Sequence, residues 1–550
     1  MLKKILAALL ALTLIITSAA CTAPVANNDA SPTGTPAVDS PSAAQETAAG
    51  VETLTIAITK DENSLSPFTY VSSTGTIVNR LIYDTLFTTN LENEVVPWMV
   101  KDDYKVLNDF KTYTFTLEEG QKFHNGSPVT AEDIKFSFTY PAGQNVASQR
   151  KVCDQIESID IDGDTITINL IDSDINFLRS GLAAMRIISK AQYEGEEDGS
   201  LVTDTIGSGM YKLSEYKIGE YYRLQAVEGY FKGDPAVKNI NMPIIEDATV
   251  VQQGILSGEL AASTSSVNVE MLEVFEQTDS IEVLASPGYS PMIMNINNGR
   301  APMDSKEFRA ALTYAIDVSG IMRSLYGQYA TVGTKGVIRP DMPYSKAGLE
   351  YEYNIEKANA ILDEAGFNRE GDGIRVTPQG QPCSFEILAY STNAVRIRAA
   401  ELISAQLKQA GIELTVKAME MDTVDAFVWP DFEVSKGRDY DFSMWGWGSS
   451  INPDFIPGLF SSDYSIGTSN VCGYKNAEFD ASIAGAYNNI RTAEELKEVL
   501  IELQGIIAED PGLICLGFAD SLQACNTGQY SGFKAGKGAN VINIYTFLGE

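Results

Sequence analysis

Histidine is nearly missing from this chain of 550 residues: His124 stands alone. A site built from several imidazoles is excluded. Positive charge is scarce too, 40 Lys and Arg against 73 Asp and Glu. That balance argues against a nucleic-acid binder, whose basic stripes replace phosphate counterions. No cysteines stand in C-x-x-C spacing, so zinc and thioredoxin-like readings fall away. There is no P-loop, no G-x-G-x-x-G leading from strand to helix, and no G-x-S-x-G around a candidate serine. His124 therefore has no nucleophile to serve and reads as a turn residue in "HNG". After residue 17 no apolar run approaches the ~20 residues that a transmembrane helix needs. What remains is an acidic, globular chain with 44% hydrophobic residues and length for two or three domains.

The N-terminus carries an address. Lys3 and Lys4 precede the apolar "ILAALLALTLIIT" (5–17), and "SAAC" (18–21) supplies small residues before a cysteine. This reads as a signal peptide over 1–20 whose end resembles a bacterial lipobox, with Cys21 as the lipidated first residue of the mature chain. A branched apolar residue is more usual where Ser18 stands. Residues 22–50 hold four Pro and no aromatic residue, too little apolar surface to order themselves. As a flexible tether they would span ~30 Å, so the chain is expected to be anchored to a membrane rather than to cross it. Five cysteines follow, at 153, 383, 472, 515 and 525. In an exported chain the odd number leaves at least one unpaired; Cys515 and Cys525 could pair or stay as two buried thiols.

From residue 52 strand and helix signals alternate. "ETLTIAIT" (52–59) has a strand's period of two, and "IVNRLIYDTLF" (77–87) reads as a helix. "IESIDI" (156–161) and "TITINLID" (165–172) form a hairpin around "DGD", which lacks the glutamate a calcium loop requires. A strand is also expected over 113–120. The segments 305–322, 354–366 and 394–411 read as amphipathic helices, with strands at 384–390 and 412–419. The class is α/β, mixed sheets covered by helices.

Several segments together resemble one family. "VPWMVKDDYKVLNDFKTYTFTLEEGQKFHNGSPVTAEDIKFSF" (96–138) carries its "FHxGxxxTAED" pattern, followed in order by "IGSGMYKLSEY" (206–216), "VEGYFKGDPAVKNI" (227–240), "MNINNGRAPMDSKEFRAALTYAID" (294–317) and "YEYNIEKANAILDEAGF" (351–367). The chain is similar to the large solute-binding proteins of bacterial ABC importers, of the dipeptide, oligopeptide and nickel-binding group. These motifs also have plain physical roles: Thr130 with Asp133 looks like a capping box, and Gly126 serves a tight turn.

The resemblance implies a two-lobed periplasmic-binding-protein fold of type II with a hinge. Lobe I would comprise 51–95, 206–287 and 508–550, a subdomain inserted in it 96–205, and lobe II 291–505. The crossings would fall near 285–295 and 505–516. It further implies a non-enzymatic monomer without cofactor. Such a protein closes on a peptide or other small solute and delivers it to the ABC permease, the ATPase subunits being separate chains. Peptide-binding members meet the peptide amine with an Asp four residues before the Pro of an "NxP" or "DxP" loop. In "WGWGSSINPDF" that Pro is Pro453, and four residues back stands Ser449. The amine partner is missing unless Asp454 or another group replaces it, which keeps an oligosaccharide or other amine-free solute open beside a peptide.

The strand before that loop, "DFSMWGWG" (441–448), places Ser443, Trp445 and Trp447 on one face and Phe442, Met444 and Gly446 on the other. Matched positions make Phe68, Tyr70, Tyr289, Asn297, Tyr390, Trp445, Gly446, Trp447, Ser449, Ser450 and Asp454 the expected ligand-binding residues.

Overall fold

The computed structural model describes residues 51–549 except 63–64, 69–72, 144–146, 200–203 and 449–454. Two principal sheets organise it. The first has five strands in the order Ala262–Ser263, Val51–Ala57, Val237–Pro243, Tyr221–Ala226, Tyr211–Lys217. Val51–Ala57 runs parallel to both neighbours, and the later pairs are antiparallel. Its buried face, with Leu54, Ile56, Leu224 and Ile240, packs with Leu81 and Ile82 of the helix Ser73–Ile82. That helix starts earlier and ends sooner than its apolar pattern predicts, because Phe87 already opens a short strand, Phe87–Thr89.

A four-stranded antiparallel sheet lies within 96–205, in the order Lys105–Leu107, Thr112–Thr116, Thr165–Leu170, Ile156–Asp162. The expected hairpin is present, Asp162 paired with Thr165. Thr130 and Asp133 form the expected capping box at the helix Ala131–Ser137.

The second sheet has six strands in the order Ala330–Val332, Leu513–Ala519, Pro291–Ile296, Phe442–Gly446, Ser384–Tyr390, Glu413–Met419. Both faces are covered. Met294, Ile387, Phe442, Met444 and Ile514 pack with Phe308 and Ile403 of the helices Lys306–Ala315 and Ala394–Leu407. Ile293, Leu388, Trp445 and Cys515 pack on the opposite side with Leu500 and Leu503 of Ala493–Glu509. Period-two alternation thus divides two apolar sets between two cores, which explains why these strands read as almost continuous hydrophobic runs.

The helix expected over 305–322 is two helices. Lys306–Ala315 stops at Ile316, and Asp317 starts Val318–Tyr326 by accepting the Gly320 N–H at 2.8 Å. The chain passes twice between the sheets. Ile281–Ser286 pairs antiparallel with Ser521–Asn526 beside the first sheet, whereas Pro291–Ile296 pairs with Leu513–Ala519 inside the second. The second passage therefore falls at Asp520, later than the expected 505–516, because Leu513–Ala519 completes the second sheet. The five cysteines from 153 to 525 are buried and form no disulfide with one another, so Cys515 and Cys525 do not pair. Among the described residues no helix is long and apolar enough to cross a membrane.

Close approach explains one motif. A Cβ on Gly207 or Gly209 would lie 1.8 or 2.5 Å from the carbonyl oxygen of Ile82 or Leu81. His124 fastens this segment: Nδ1 accepts the Gly207 N–H at 3.1 Å, and Nε2–H donates to the Gly209 carbonyl at 3.0 Å. Burial holds its ring neutral and lowers its pKa from 6.5 to about 4. Nearby, Asp84 Oδ1 accepts from Trp98 Nε1 at 3.0 Å and from the Tyr230 hydroxyl at 2.7 Å. Burial nevertheless raises this carboxyl from 3.8 to about 6.

The two groups act in opposite directions on stability. Between pH 6.5 and 4 the unfolded chain protonates His124 before the folded one does, so stability falls with acidification, by on the order of 2–3 kcal/mol. Asp84 takes its proton in the folded state first; its contribution is full below 3.8 and is lost as pH rises through 6. Urea unfolding of Asp84→Asn should lose stability more steeply than wild type from pH 6.5 to 4, and His124→Gln less steeply. Identical pH slopes in all three proteins would contradict these environments.

Candidate functional site

The site is built where the chain passes between the sheets. Pro287, Gly288, Tyr289 and Ser290 connect Ile281–Ser286 to Pro291–Ile296, and Asp520 alone connects Leu513–Ala519 to Ser521–Asn526. Two cavities flank these connections and share Ser290 in their walls.

The larger cavity, about 580 Å³, lies on the first-sheet side, along the helix Ser73–Ile82 and the 286–290 connection. Three arginines line it, Arg80, Arg179 and Arg186. Arg186 donates from Nε to Asn79 Oδ1 at 2.8 Å, and its charge helps to hold down the neighbouring Asp84. Arg179 donates to Asn93 Oδ1 at 2.8 Å and to the Asn93 carbonyl at 2.6 Å. These acceptors are neutral, and among the described residues no carboxylate pairs with Arg179. Burial lowers its pKa, against the raising effect of Tyr344 and Tyr289. Two further buried polar atoms of this wall, Asp84 Oδ2 and Ser286 Oγ, have no hydrogen-bond partner among the described residues.

The smaller cavity, about 350 Å³, lies on the second-sheet side between Ser290, Tyr326, Arg396 and Trp447. Its wall follows from the strand Phe442–Gly446. Phe442 and Met444 face one core and Trp445 the other, as their alternation predicts. Trp447 continues the Trp445 face beyond the strand end, ring centroids 6.2 Å apart. Trp445 packs on Tyr390 at 5.4 Å, and Trp447 meets Trp429 edge-on at 5.2 Å. The Tyr390 hydroxyl donates to Asp425 Oδ1 at 2.6 Å. Gly446 is required here: a Cβ would come within 2.6 Å of Arg396 Nη2 and 3.0 Å of the Pro291 carbonyl oxygen. Its missing side chain lets the guanidinium lie against the strand, 5.9 Å from the Tyr390 ring.

The expected ligand residues separate accordingly. Gly446 and Trp447 line the smaller cavity, and Tyr289 lines the larger one. Tyr390 and the buried Trp445 stand behind Trp447 in the aromatic wall. Phe68 is corrected: it is buried in the first core, edge-on to Tyr140 at 5.5 Å and Tyr193 at 5.4 Å. Asn297 is corrected as well. It sits at the far end of Pro291–Ile296 from the connection, donating to the Tyr440 carbonyl at 2.8 Å and accepting from the Gly299 N–H at 3.2 Å. Tyr70, Ser449, Ser450, Asp454 and the expected lipidation site Cys21 lie outside the described residues. The arginines were not foreseen. Arg186 alone left a signal, a single charge inside the apolar "AAMRIIS" (183–189). Among the described residues no group of His, Cys, Asp and Glu is placed to hold a metal ion.

Comparison with known proteins agrees with this architecture. The model of the bacterial extracellular solute-binding proteins, family 5 (middle), matches residues 94–468. The oligopeptide-binding protein AppA of Bacillus subtilis is 26% identical over 465 residues, 79% of this chain and 84% of that one. The nickel-binding periplasmic protein of Escherichia coli is 26% identical over 420 residues, 74% of this chain and 77% of that one. Among solved structures, the ABC transporter substrate-binding protein CtaP of Listeria monocytogenes shares the fold with a TM-score of 0.79 at 21% identity, covering 91% of this chain and 99% of that one. The chain thus belongs to the bacterial extracellular solute-binding proteins of family 5, two-lobed proteins of the type II periplasmic-binding fold that bind solutes outside the cytoplasm and are not enzymes.

Proposed function

We propose that this protein is the lipid-anchored receptor of an ABC importer and that it captures a carboxylate-bearing solute, a peptide, between its lobes for delivery to the permease. The observation that carries the cargo class is Arg179. A half-buried guanidinium whose hydrogen bonds go only to neutral acceptors keeps an unmet demand for negative charge. A peptide's terminal carboxylate would meet it with charge-assisted, two-pronged hydrogen bonds, whereas a neutral sugar would not. The relatives' names, oligopeptide-binding among them, support the same class. The aromatic wall around Trp447 favours a second reading, a neutral oligosaccharide stacked on the rings, which Ser449 in place of the family's amine-binding Asp also allows.

A thermal-shift panel of short peptides, the same peptides amidated at the C-terminus, and cello- and xylo-oligosaccharides separates the two. Peptides with a free carboxylate should stabilise the protein, by ~2.7 kcal/mol at 100 times their Kd. Amidation, or Arg179→Met, should weaken binding roughly tenfold or more. Stabilisation by an oligosaccharide alone, equal in wild type and Arg179→Met, would overturn the peptide reading.

The anchor has its own test. In the full chain Cys21→Ser should move the protein from the membrane fraction to the soluble extracytoplasmic fraction, because one soluble body on a flexible tether has no other membrane contact in this reading. Retention of the variant on the membrane would reject lipidation at Cys21.

A further inference from the structure

The two connections between the sheets touch. A Cβ on Gly288 would lie 2.0 Å from the Ala519 carbonyl oxygen. One buried side chain holds both. Arg339, with 5% of its side chain exposed, donates from Nη1 to the Gly288 carbonyl at 2.8 Å and to Asp520 Oδ1 at 3.3 Å. Its Nε donates to Asp341 Oδ1 at 2.8 Å, and its guanidinium lies 5.8 Å from the centre of the Tyr289 ring. The segment that carries Arg339 is fixed to the second sheet's body: Val337 and Ile338 are buried in its core with Leu503 and Ile507, and Gly336 packs on Gln504.

Bonds from the other side begin one residue away. The Gly538 N–H donates to the Pro287 carbonyl at 3.2 Å, and the Ser266 and Ser521 hydroxyls are hydrogen-bonded at 2.9 Å. Gly288 and Asp520 are thus tied to the second lobe, and Pro287 and Ser521 to the first. The stretch left to bend is about one peptide wide in each connection. Rotation of one lobe on the other concentrates at such short segments, which absorb the φ/ψ change.

We infer that Arg339 is the positioning residue of the hinge: it clamps both connections to the second lobe and confines inter-lobe bending to Pro287–Gly288 and Asp520–Ser521. It touches no solute in this role. It acts by keeping two bending points on one axis, so that the walls bearing Arg179 and Trp447 meet in a defined register. Without the clamp Asp520 would keep only its N–H bond to the Tyr329 carbonyl at 3.0 Å, the two connections would lose their shared tie, and the open ensemble would widen.

The test needs no solute and is therefore independent of the cargo reading. Nitroxide labels at Ile218→Cys in the first lobe and Ile374→Cys in the second, both exposed, report the inter-lobe distance by pulsed electron resonance. The full chain carries Cys21→Ser; the five remaining thiols are buried and do not compete for label. Arg339→Met should broaden the distance distribution. Amide exchange of the peptides spanning 287–290 and 519–521 should rise roughly tenfold, with exchange elsewhere unchanged. Arg339→Lys, which keeps the charge but loses the separate Nε bond to Asp341 that orients the guanidinium, should recover only part of the narrowing. A folded Arg339→Met protein with unchanged distance distribution and exchange overturns the clamp. If Arg339→Met does not fold, Asp520→Ala decides alone: broadening supports the clamp and an unchanged distribution rejects it.

Discussion

The structure depends on a single antiparallel ribbon interrupted in its middle. Ile281–Ser286 and Ser521–Asn526 are its first half, and Pro291–Ile296 and Leu513–Ala519 its second. Each half is locked by ladder hydrogen bonds into a different lobe, and between them the ladder is replaced by Arg339. A strand ladder resists bending because every residue is bonded across it. A gap held by one side chain and a single backbone bond, Asp520 N–H to the Tyr329 carbonyl, resists it far less. Both cavities open beside that gap, so their position follows from strand pairing.

Charge gives the cleft its character. The protein has 33 more negative than positive formal charges, and its fully buried arginines are mostly satisfied within the fold. Arg309 is held by Asp510 and by the carbonyls of Pro511 and Met303. Arg375, 2% exposed, is surrounded by Asp363, Asn359 Oδ1 and the Ala410 carbonyl. Removing a partner from such a group leaves a buried charge uncompensated, a loss of several kcal/mol. Arg179 differs in that its partners carry no charge, and it faces a cavity. Arg179 is only half-buried, and its desolvation lowers its pKa where no carboxylate among the described residues pairs with it.

Much of this was legible in the residues. The hairpin at 156–170, the capping box at Thr130 and the two faces of the Trp445 strand follow from local rules of turn chemistry and period, and all are present. What failed needed tertiary information. "LICLGFA" (513–519) is apolar on both faces, so its pattern fits either sheet, and only pairing with Pro291–Ile296 assigns it. The break at Ile316 is invisible to a periodicity that continues through it. Phe68 and Asn297 carry residue types that line clefts, but the same types build cores and turns, and here neighbouring rings and carbonyls claim them. Arg179 stands in "FLRSGL" with nothing to set it apart from any other arginine.

The aromatic wall joins these strands of the argument. Trp445 is buried because its strand is covered on both faces, so it stiffens the wall and offers a solute little surface. Trp447 lies past the strand's end and lines the cavity. Between them Gly446 admits Arg396, whose guanidinium lies near the Tyr390 ring while the Tyr390 hydroxyl engages Asp425. The second lobe therefore presents an aromatic face edged by one cation, and the first presents Arg179 and Arg186. Guanidinium groups therefore stand on both sides, and the first-lobe wall also carries the carboxylate of Asp84, whose Oδ2 has no hydrogen-bond partner among the described residues. The proposed carboxylate-bearing cargo rests on those guanidinium groups, Arg179 above all, because its hydrogen bonds go to neutral acceptors.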